Sequence, residues 1–302
     1  MKFAERRIYF FIISFLVIAP GIFFLVSNGG LNTGIDFKGG SSMTISFPES
    51  ISVSQTEIIN SINDIGYSDS TIQNLGENNF FLRTTELNDE EKSTIEKTLI
   101  NNFSPESSSI ITSYDLVSPV VANETVVAAG WAVLAAVIGI FIYIWWAFRN
   151  LPSPFRYGIA AIIALIHDSI IVIGSFAILG EFLGIEISTM FLVALLTIIG
   201  YSVNDTIVVF DKIRENVLIY TNRTFPEIVN LSISETLGRS LNTSFTLLLT
   251  LLALLLFGGA TIREFLYVLI IGVIAGTYSS IAIASQILVV WDQKKIGSFS
   301  QE

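Results

Sequence analysis

The sequence predicts an α-helical polytopic membrane protein with six transmembrane helices and a small α+β domain inserted between the first and second. Three observations predict it. Of the 302 residues, 52% are apolar and only 14% charged, against roughly 25% charged in soluble domains. Six apolar runs are each long enough to cross a hydrocarbon core about 30 Å thick, which takes about 20 residues. Between the first two runs lies a segment with soluble-domain patterning. It carries the whole net charge of −10, because residues 28–124 hold 14 acids and 4 bases while the rest is balanced.

The six runs lie near 8–26, 125–148, 157–180, 188–210, 241–258 and 265–290. The first follows Lys2-Phe-Ala-Glu-Arg-Arg7. It has no small-x-small cleavage site and is long for a signal-peptide core, so it reads as a retained anchor. Basic residues in short flanking loops set orientation. Lys2, Arg6, Arg7, Arg149, Arg156, Lys212, Arg214, Arg223, Arg239, Lys294 and Lys295 all fall at one set of ends, 11 of the 16 basic residues. The expectation is two cytoplasmic termini, an anchor over 1–27, an extracytoplasmic domain over 28–124, helices 2–6 over 125–291 and a cytoplasmic tail over 292–302. Tyr143, Trp145, Trp146 and Trp291 sit where interfacial aromatic belts belong.

In the inserted domain, residues 41–47 alternate as a half-buried strand and Pro48 stops it. Ser54 with Glu57 forms a capping box for a helix carrying Ile58, Ile59, Ile62 and Ile65 on one face, and Gly66 ends it. Strands follow near 70–75 and 79–85. Asn88 with Glu91 caps a second helix, carrying Ile95, Leu99 and Ile100, to about 103, and a last strand is expected near 108–117. The order βαββαβ is the ferredoxin-like split pattern. The domain holds no histidine and no visible catalytic constellation, so it reads as a protein-contacting or conformational module.

Composition limits the chemistry. There is no cysteine, and His167 is the sole histidine, so disulfides, thiolate chemistry and multi-histidine metal sites are excluded. No catalytic residue, metal or cofactor is expected, and the acidic balance argues against nucleic acid as a partner. An intramembrane enzyme would need a nucleophile–base pair or metal, for which His167 beside Asp168 is the only raw material.

Two acids lie inside apolar runs. Such residues cost about 2.5–3.5 kcal/mol at a helix centre and are functional candidates by default. Asp205 stands seven residues before Lys212, about 10 Å at 1.5 Å per residue. Ser202 is placed to share its face, and Asn204 and Thr206 adjoin it. Burial disfavours a charged carboxyl and a nearby cation favours it, so a proton carrier alternates between such surroundings. Arg239 begins the fifth run and is the candidate cation for Asp205. It either pairs with that residue or snorkels to the headgroups. Thr243, Thr246 and Thr250 follow it at helical spacing. Asp168 lies about 20 Å along the third run from Phe155, and His167 beside it is either a second relay group or packing. Gly272, Gly276 and Ser280 recur every four residues, a small-residue stripe for packing in the same bundle or against a partner.

Four stretches carry a resemblance. They are Gly34-Ile-Asp36-Phe-Lys-Gly39-Gly40, the long run from Gly200-Tyr-Ser-Val-Asn-Asp205 to Arg214-Glu-Asn216, Gly238-Arg-Ser-Leu-Asn-Thr-Ser244, and Gly276-Thr-Tyr-Ser-Ser280. In this order, with six spans and one inserted domain, the chain resembles the SecD/SecF family of protein-export membrane subunits, in the resistance-nodulation-division superfamily. Gly34, Asp36, Gly39 and Gly40 otherwise need only be a turn leading from the first span into the domain. The resemblance implies an accessory subunit in the bacterial cytoplasmic (inner) membrane. It implies that the proton or sodium gradient is spent on late protein export, with the conducting acid and base at Asp205 and Arg239. The implied partners are a SecD-like chain supplying the other half of a twelve-span unit, the Sec translocon channel, exported precursor polypeptides and membrane lipids. The rival readings are a half-size exporter of lipids or small molecules and a passive assembly scaffold.

Overall fold

The computed structural model describes residues 2–48, 51, 53–68, 70–76, 78–104, 109–259 and 262–294. Most of the tail expected over 292–302 therefore lies outside the described residues, as does the start of the strand expected from 108. The chain divides into two compact units, Thr33–Gly130 and the remainder, Met1–Asn32 with Trp131–Glu302.

The smaller unit opens with a single helical turn, α2 (Ile35–Lys38), after the first long helix, α1 (Arg7–Ser27). Then come β1 (Gly40–Ser46), α3 (Gln55–Asn63), β2 (Thr71–Gly76), β3 (Asn79–Thr84), α4 (Asp89–Phe103) and β4 (Ile111–Val117). The glycine motif is the joint between α2 and β1. Gly39 and Gly40 have φ of 79° and 130°, angles that L side chains resist. A Cβ on Gly40 would stand 2.5 Å from the Thr84 carbonyl oxygen. The four strands form an antiparallel sheet in the order β2-β3-β1-β4, with Met43 opposite Leu82 and Ile45 opposite Phe80. Those four side chains and Ile58, Ile62, Ile95 and Leu99 from the two helices are fully buried in one core. Each buried aliphatic or aromatic side chain contributes about 1.5–3 kcal/mol.

Helices α3 and α4 begin with the expected capping boxes. The Glu57 carboxylate accepts from the Ser54 amide at 2.9 Å and the Ser54 hydroxyl at 2.8 Å, and these bonds hold its pKa below the usual carboxylate range. Unfolding breaks them, so the unfolded chain takes up a proton at higher pH than the folded one. The stabilisation is complete above the ordinary Glu pKa and is lost as pH falls through the lowered value. In an excised 33–118 fragment, expected to melt cooperatively, Glu57→Gln should flatten the acid limb of a melting-temperature profile. Asn88→Ala should cost about 1 kcal/mol at any pH where the protein folds. A non-cooperative melt would show that the unit does not fold alone.

The larger unit is helical. With α1 it contains α6 (Phe155–Leu183), α7 (Thr189–Ile219), α8 (Phe225–Phe257), α9 (Arg263–Ser279), a π-helical turn at Ser280–Ala284 and α10 (Ser285–Gln293). The helix α5 (Pro119–Ala147) precedes α6. Among the described residues, six helices are long and apolar enough to cross a membrane, α9 and α10 counting as one. They outrun the apolar segments that announce them. The largest difference is in α8, which starts at Phe225 and not near 241. Thr224 and Glu227 cap it in a further box, Pro226 occupies the first turn, and the helix then runs through polar residues that no hydropathy search selects. The link between α7 and α8 is therefore only residues 220–224, not the loop of about 30 residues that the apolar runs alone imply. Tyr143, Trp145, Trp146 and Trp291 are exposed, as belt residues require.

Candidate functional site

The site is built where α6, α7, α8 and α9 meet. Close contact of α7 with α9 makes it possible, and bare backbone makes that contact possible. A Cβ on Gly272 would lie 2.4 Å from Ile198 Cγ2, and one on Gly276 would lie 2.9 Å from Ser202 Cβ. The stripe Gly272, Gly276, Ser280 thus faces the interior of this bundle. It delivers Ser279 and Ser280, at the end of α9, to the two acids.

Each acid is buried and each is held by hydroxyls. Asp205 is 9% exposed; its Oδ1 accepts from Ser240 Oγ on α8 at 2.6 Å and its Oδ2 from Ser280 Oγ at 2.8 Å. Asp168 is 2% exposed; its Oδ2 accepts from Ser202 Oγ on α7 at 2.5 Å and from Ser279 Oγ at 2.7 Å. Its Oδ1 lies 3.0 Å from His167 Nδ1. Consecutive serines therefore serve one carboxylate each. A hydroxyl can donate to a carboxylate or accept from a carboxylic acid by rotating, so these four serines can hold either acid in both protonation states.

His167 and Asp168 are sequence neighbours expected to diverge around the helix, yet their side chains touch. The His167 ring stacks near Tyr278, centroids 6.1 Å apart. Its Nε2 is buried and, among the described residues, has no hydrogen-bond partner. Tyr278 OH donates to the Phe10 carbonyl at 2.7 Å and accepts from Ser14 at 3.3 Å, which ties α1 to this cluster. Just past Ser279 the helix widens into its π-turn, a feature often found at functional sites. Ser285 Oγ donates to the Ser280 carbonyl at 2.7 Å, and Gln286 Nε2 to that of Ile281 at 3.0 Å.

The remaining expected residues divide. Thr206 is buried, whereas Asn204, Arg239 and Thr243 are exposed on the outside of the chain. Arg239 makes no ion pair with Asp205, whose carboxylate is fully engaged by serines, and Ser202 serves Asp168 across the helix gap and not Asp205 on its own helix. Gly34, Asp36, Gly39 and Gly40 belong to the other unit. Beyond the acids, Asn216 Nδ2 donates to Ser232 Oγ at 3.0 Å and Glu235 Oε2 at 2.8 Å, and Lys212 pairs with Glu215 at 3.0 Å. Asn216, at the end of the long motif, thereby fastens α7 to α8. Among the described residues no group of three or more His, Cys, Asp or Glu side chains is placed to hold a metal.

Ser280→Ala should remove one of the two hydroxyls on Asp205 and cost about 1–3 kcal/mol for a buried acceptor left short. Ser280→Thr keeps the hydroxyl. A melt in detergent that drops for alanine and recovers for threonine would match this geometry, and equal melts for all three would contradict it.

The family profile described as "Protein export membrane protein SecD/SecF, C-terminal" matches residues 95–294. The chain belongs to the SecD/SecF family. The protein translocase subunit SecF of Thermobaculum terrenum is 42% identical over 300 residues, covering 95% of this chain and 93% of its own. That of Anaerolinea thermophila is 40% identical over 288 residues, at 95% and 92%. The crystal structure of SecDF, a translocon-associated membrane protein from Thermus thermophilus, superposes with a TM-score of 0.84 at 32% identity. That superposition covers 97% of this chain and 39% of the SecDF chain. A SecDF structure in a super-membrane-facing form gives 0.69 at 31%. The chain spans about two fifths of the SecDF polypeptide, 39%, and nearly all of the SecF relatives.

For this SecD/SecF-family chain, sequence reasoning missed three contributors to the site: Ser240, Ser279 and Tyr278. The signal for all three was present, Tyr278 lying in the same Gly276–Ser280 stretch. Ser240 follows Arg239 directly and Ser279 precedes Ser280, both in motifs already singled out. A second polar chain also went unread, in which Tyr201 OH lies 3.2 Å from Ser244 Oγ and Ser244 Oγ lies 2.6 Å from Thr277 Oγ1.

Proposed function

We propose that this chain is the SecF-type half of an ion-driven accessory motor of the Sec translocase, spending the proton or sodium gradient on late protein export. The observation that carries the reading is the pair of buried carboxylates at membrane depth, held by serines and not by fixed cations. Such acids are costly in a bundle that only needs to fold. The electrical part of the gradient supplies about 2.3 kcal/mol per charge per 100 mV.

In this reading both termini are cytoplasmic, the inserted βαββαβ unit is an extracytoplasmic ferredoxin-like domain, and a SecD-like chain supplies the other half. The exposed surface supports a protein neighbour. Arg239 and Asn242 stand outward on α8, as does Asn204 on α7. Polar groups at that depth need a partner other than lipid. The coverage of two fifths of SecDF agrees with one half of a larger unit. Arg239 then couples to Asp205 only once the partner chain is docked. The Sec channel and the exported polypeptide are the further partners of this role.

The test is co-purification with a SecD-like chain, followed by export into vesicles with and without a proton or sodium gradient. Arg239→Met should leave the melting of this chain alone unchanged and lower the gradient-dependent export rate of the complex. In a cycle with Asp205→Asn the double loss should be smaller than the sum of the single losses. Additive losses would mean that Arg239 only snorkels. An export rate indifferent to any ion gradient would leave the scaffold reading in place.

A further inference from the structure

We propose that the groove between α1, α8 and α9 binds one anionic phospholipid, with an acyl chain in the groove and the phosphate at Lys2 and Arg6. The groove has a volume of about 420 Å³ and is walled by Phe3, Phe10, Leu241, Phe245, Leu248 and Ile274. That is within the usual range for ligand sites of about 300–1,000 Å³. The hydroxyls in its lining are engaged with the protein itself. Ser244 and Thr277 lie 2.6 Å apart, Thr277 donates to the Val273 carbonyl at 2.7 Å, and Tyr278 donates to that of Phe10 at 2.7 Å. What remains to line the groove is apolar.

Its mouth is cationic. Phe3 and Phe10 also line an adjoining hollow of about 610 Å³, completed by Lys2, Arg6 and Tyr9. Lys2 and Arg6 are exposed, and among the described residues neither makes an ion pair. The nearest acid in sequence, Glu5, is engaged elsewhere, accepting from Asn230 Nδ2 at 3.1 Å. The mouth is also fixed in place. The Ala4 amide donates to Asn230 Oδ1 at 2.8 Å, and the buried Arg7 guanidinium donates to the Ala4 carbonyl at 2.9 Å and to Gln293 Oε1 at 3.0 Å. A greasy slot that opens onto two basic side chains where a helix enters the membrane complements a lipid with a negative headgroup.

The groove also avoids the face assigned to the partner chain. At about 100° per residue, Leu241, Phe245 and Leu248 lie on the opposite flank of α8 from Arg239, Thr243, Thr246 and Thr250. A partner docked on the polar flank leaves the groove to the bilayer. This site stands whether or not the chain couples ions.

The experiment is native mass spectrometry of the purified full chain equilibrated with equal phosphatidylglycerol and phosphatidylcholine. Wild-type protein should retain phosphatidylglycerol over phosphatidylcholine by on the order of tenfold, the preference that two basic contacts provide. Lys2→Gln with Arg6→Gln should abolish the preference, and Ile274→Trp, which fills the groove from an exposed position, should reduce retention of both lipids. Equal retention by the wild type overturns the proposal whatever the variants do. So does a preference that survives the double glutamine variant, or a chain found as a dimer with no bound lipid. Were the tryptophan variant not to fold, the wild-type ratio and the glutamine variant decide the question alone.

Discussion

Asp205→Asn should abolish the gradient-dependent part of protein export while the protein inserts, folds and binds its partner normally. The amide oxygen can still accept from one serine, and the amide hydrogens can still donate to the other, because both Ser240 and Ser280 hydroxyls can rotate. The titratable charge is all that is lost. Export into vesicles should fall to the rate seen with a protonophore or, for a sodium-coupled system, a sodium ionophore. Melting temperature should change little. Asp168→Asn tests the second acid separately, since its Oδ1 lies 3.0 Å from His167 Nδ1, whereas the Asp205 oxygens are held by Ser240 and Ser280. Undiminished gradient-dependent export in Asp205→Asn would remove that residue from the ion path.

Gly272→Val should strongly damage the fold of the bundle. Its Cβ would fall 2.4 Å from Ile198 Cγ2 and 2.5 Å from Cγ1, a separation that carbon atoms do not tolerate. Either α9 moves away from α7 or Ile198 changes rotamer. Overpacking of this kind costs about 1–3 kcal/mol and at times more, and here it also draws Ser279 and Ser280 away from the carboxylates. Thermal melting in detergent should fall sharply for Gly272→Val and recover in part when Ile198→Ala is added. Gly139→Val in α5, where nothing lies within 4 Å, is the matched control. A Gly272→Val protein that melts like the control would show that α7 and α9 do not depend on this contact.

The spans were legible because burial in lipid demands long uncharged runs, and the sequence contains six of them. The caps of α3 and α4 were legible for an equally local reason, a Ser or Asn followed three residues later by Glu. The first half of α8 was not. From Phe225 to Ser240 it buries one face only, at Ile228, Val229, Ser232, Ile233, Thr236 and Ser240, so mean hydropathy is low where the helix begins and the apolar run marks only its later part. Within the site, the two acids announced themselves by the cost of placing them in a membrane. Their partners did not. Ser202 is three residues before Asp205, and sequence spacing assigns them to one face, yet the hydroxyl points across to Asp168 on α6. Periodicity gives the face of a helix and is silent on which neighbour that face meets. Arg239 illustrates the same gap. Its depth beside Asp205 could be read from the chain, but its azimuth depends on the packing of α8 against α7 and α9, and that packing turns it outward.

The π-turn at Ser280–Ala284 resembles a dislocation in a crystal: one extra residue held in the register of an otherwise regular helix. A dislocation can glide. Moving it by one residue toward Arg263 would leave α10 and most of α9 in place and rotate only the residue it passes, by about 100°. Ser280 stands at its leading edge and Ser279 comes next. One step of glide would swing the Ser280 hydroxyl off Asp205, and a second would swing Ser279 off Asp168. The helix would thus release its two acids in turn, exchanging backbone hydrogen bonds one at a time without parting from its neighbours along the remaining length.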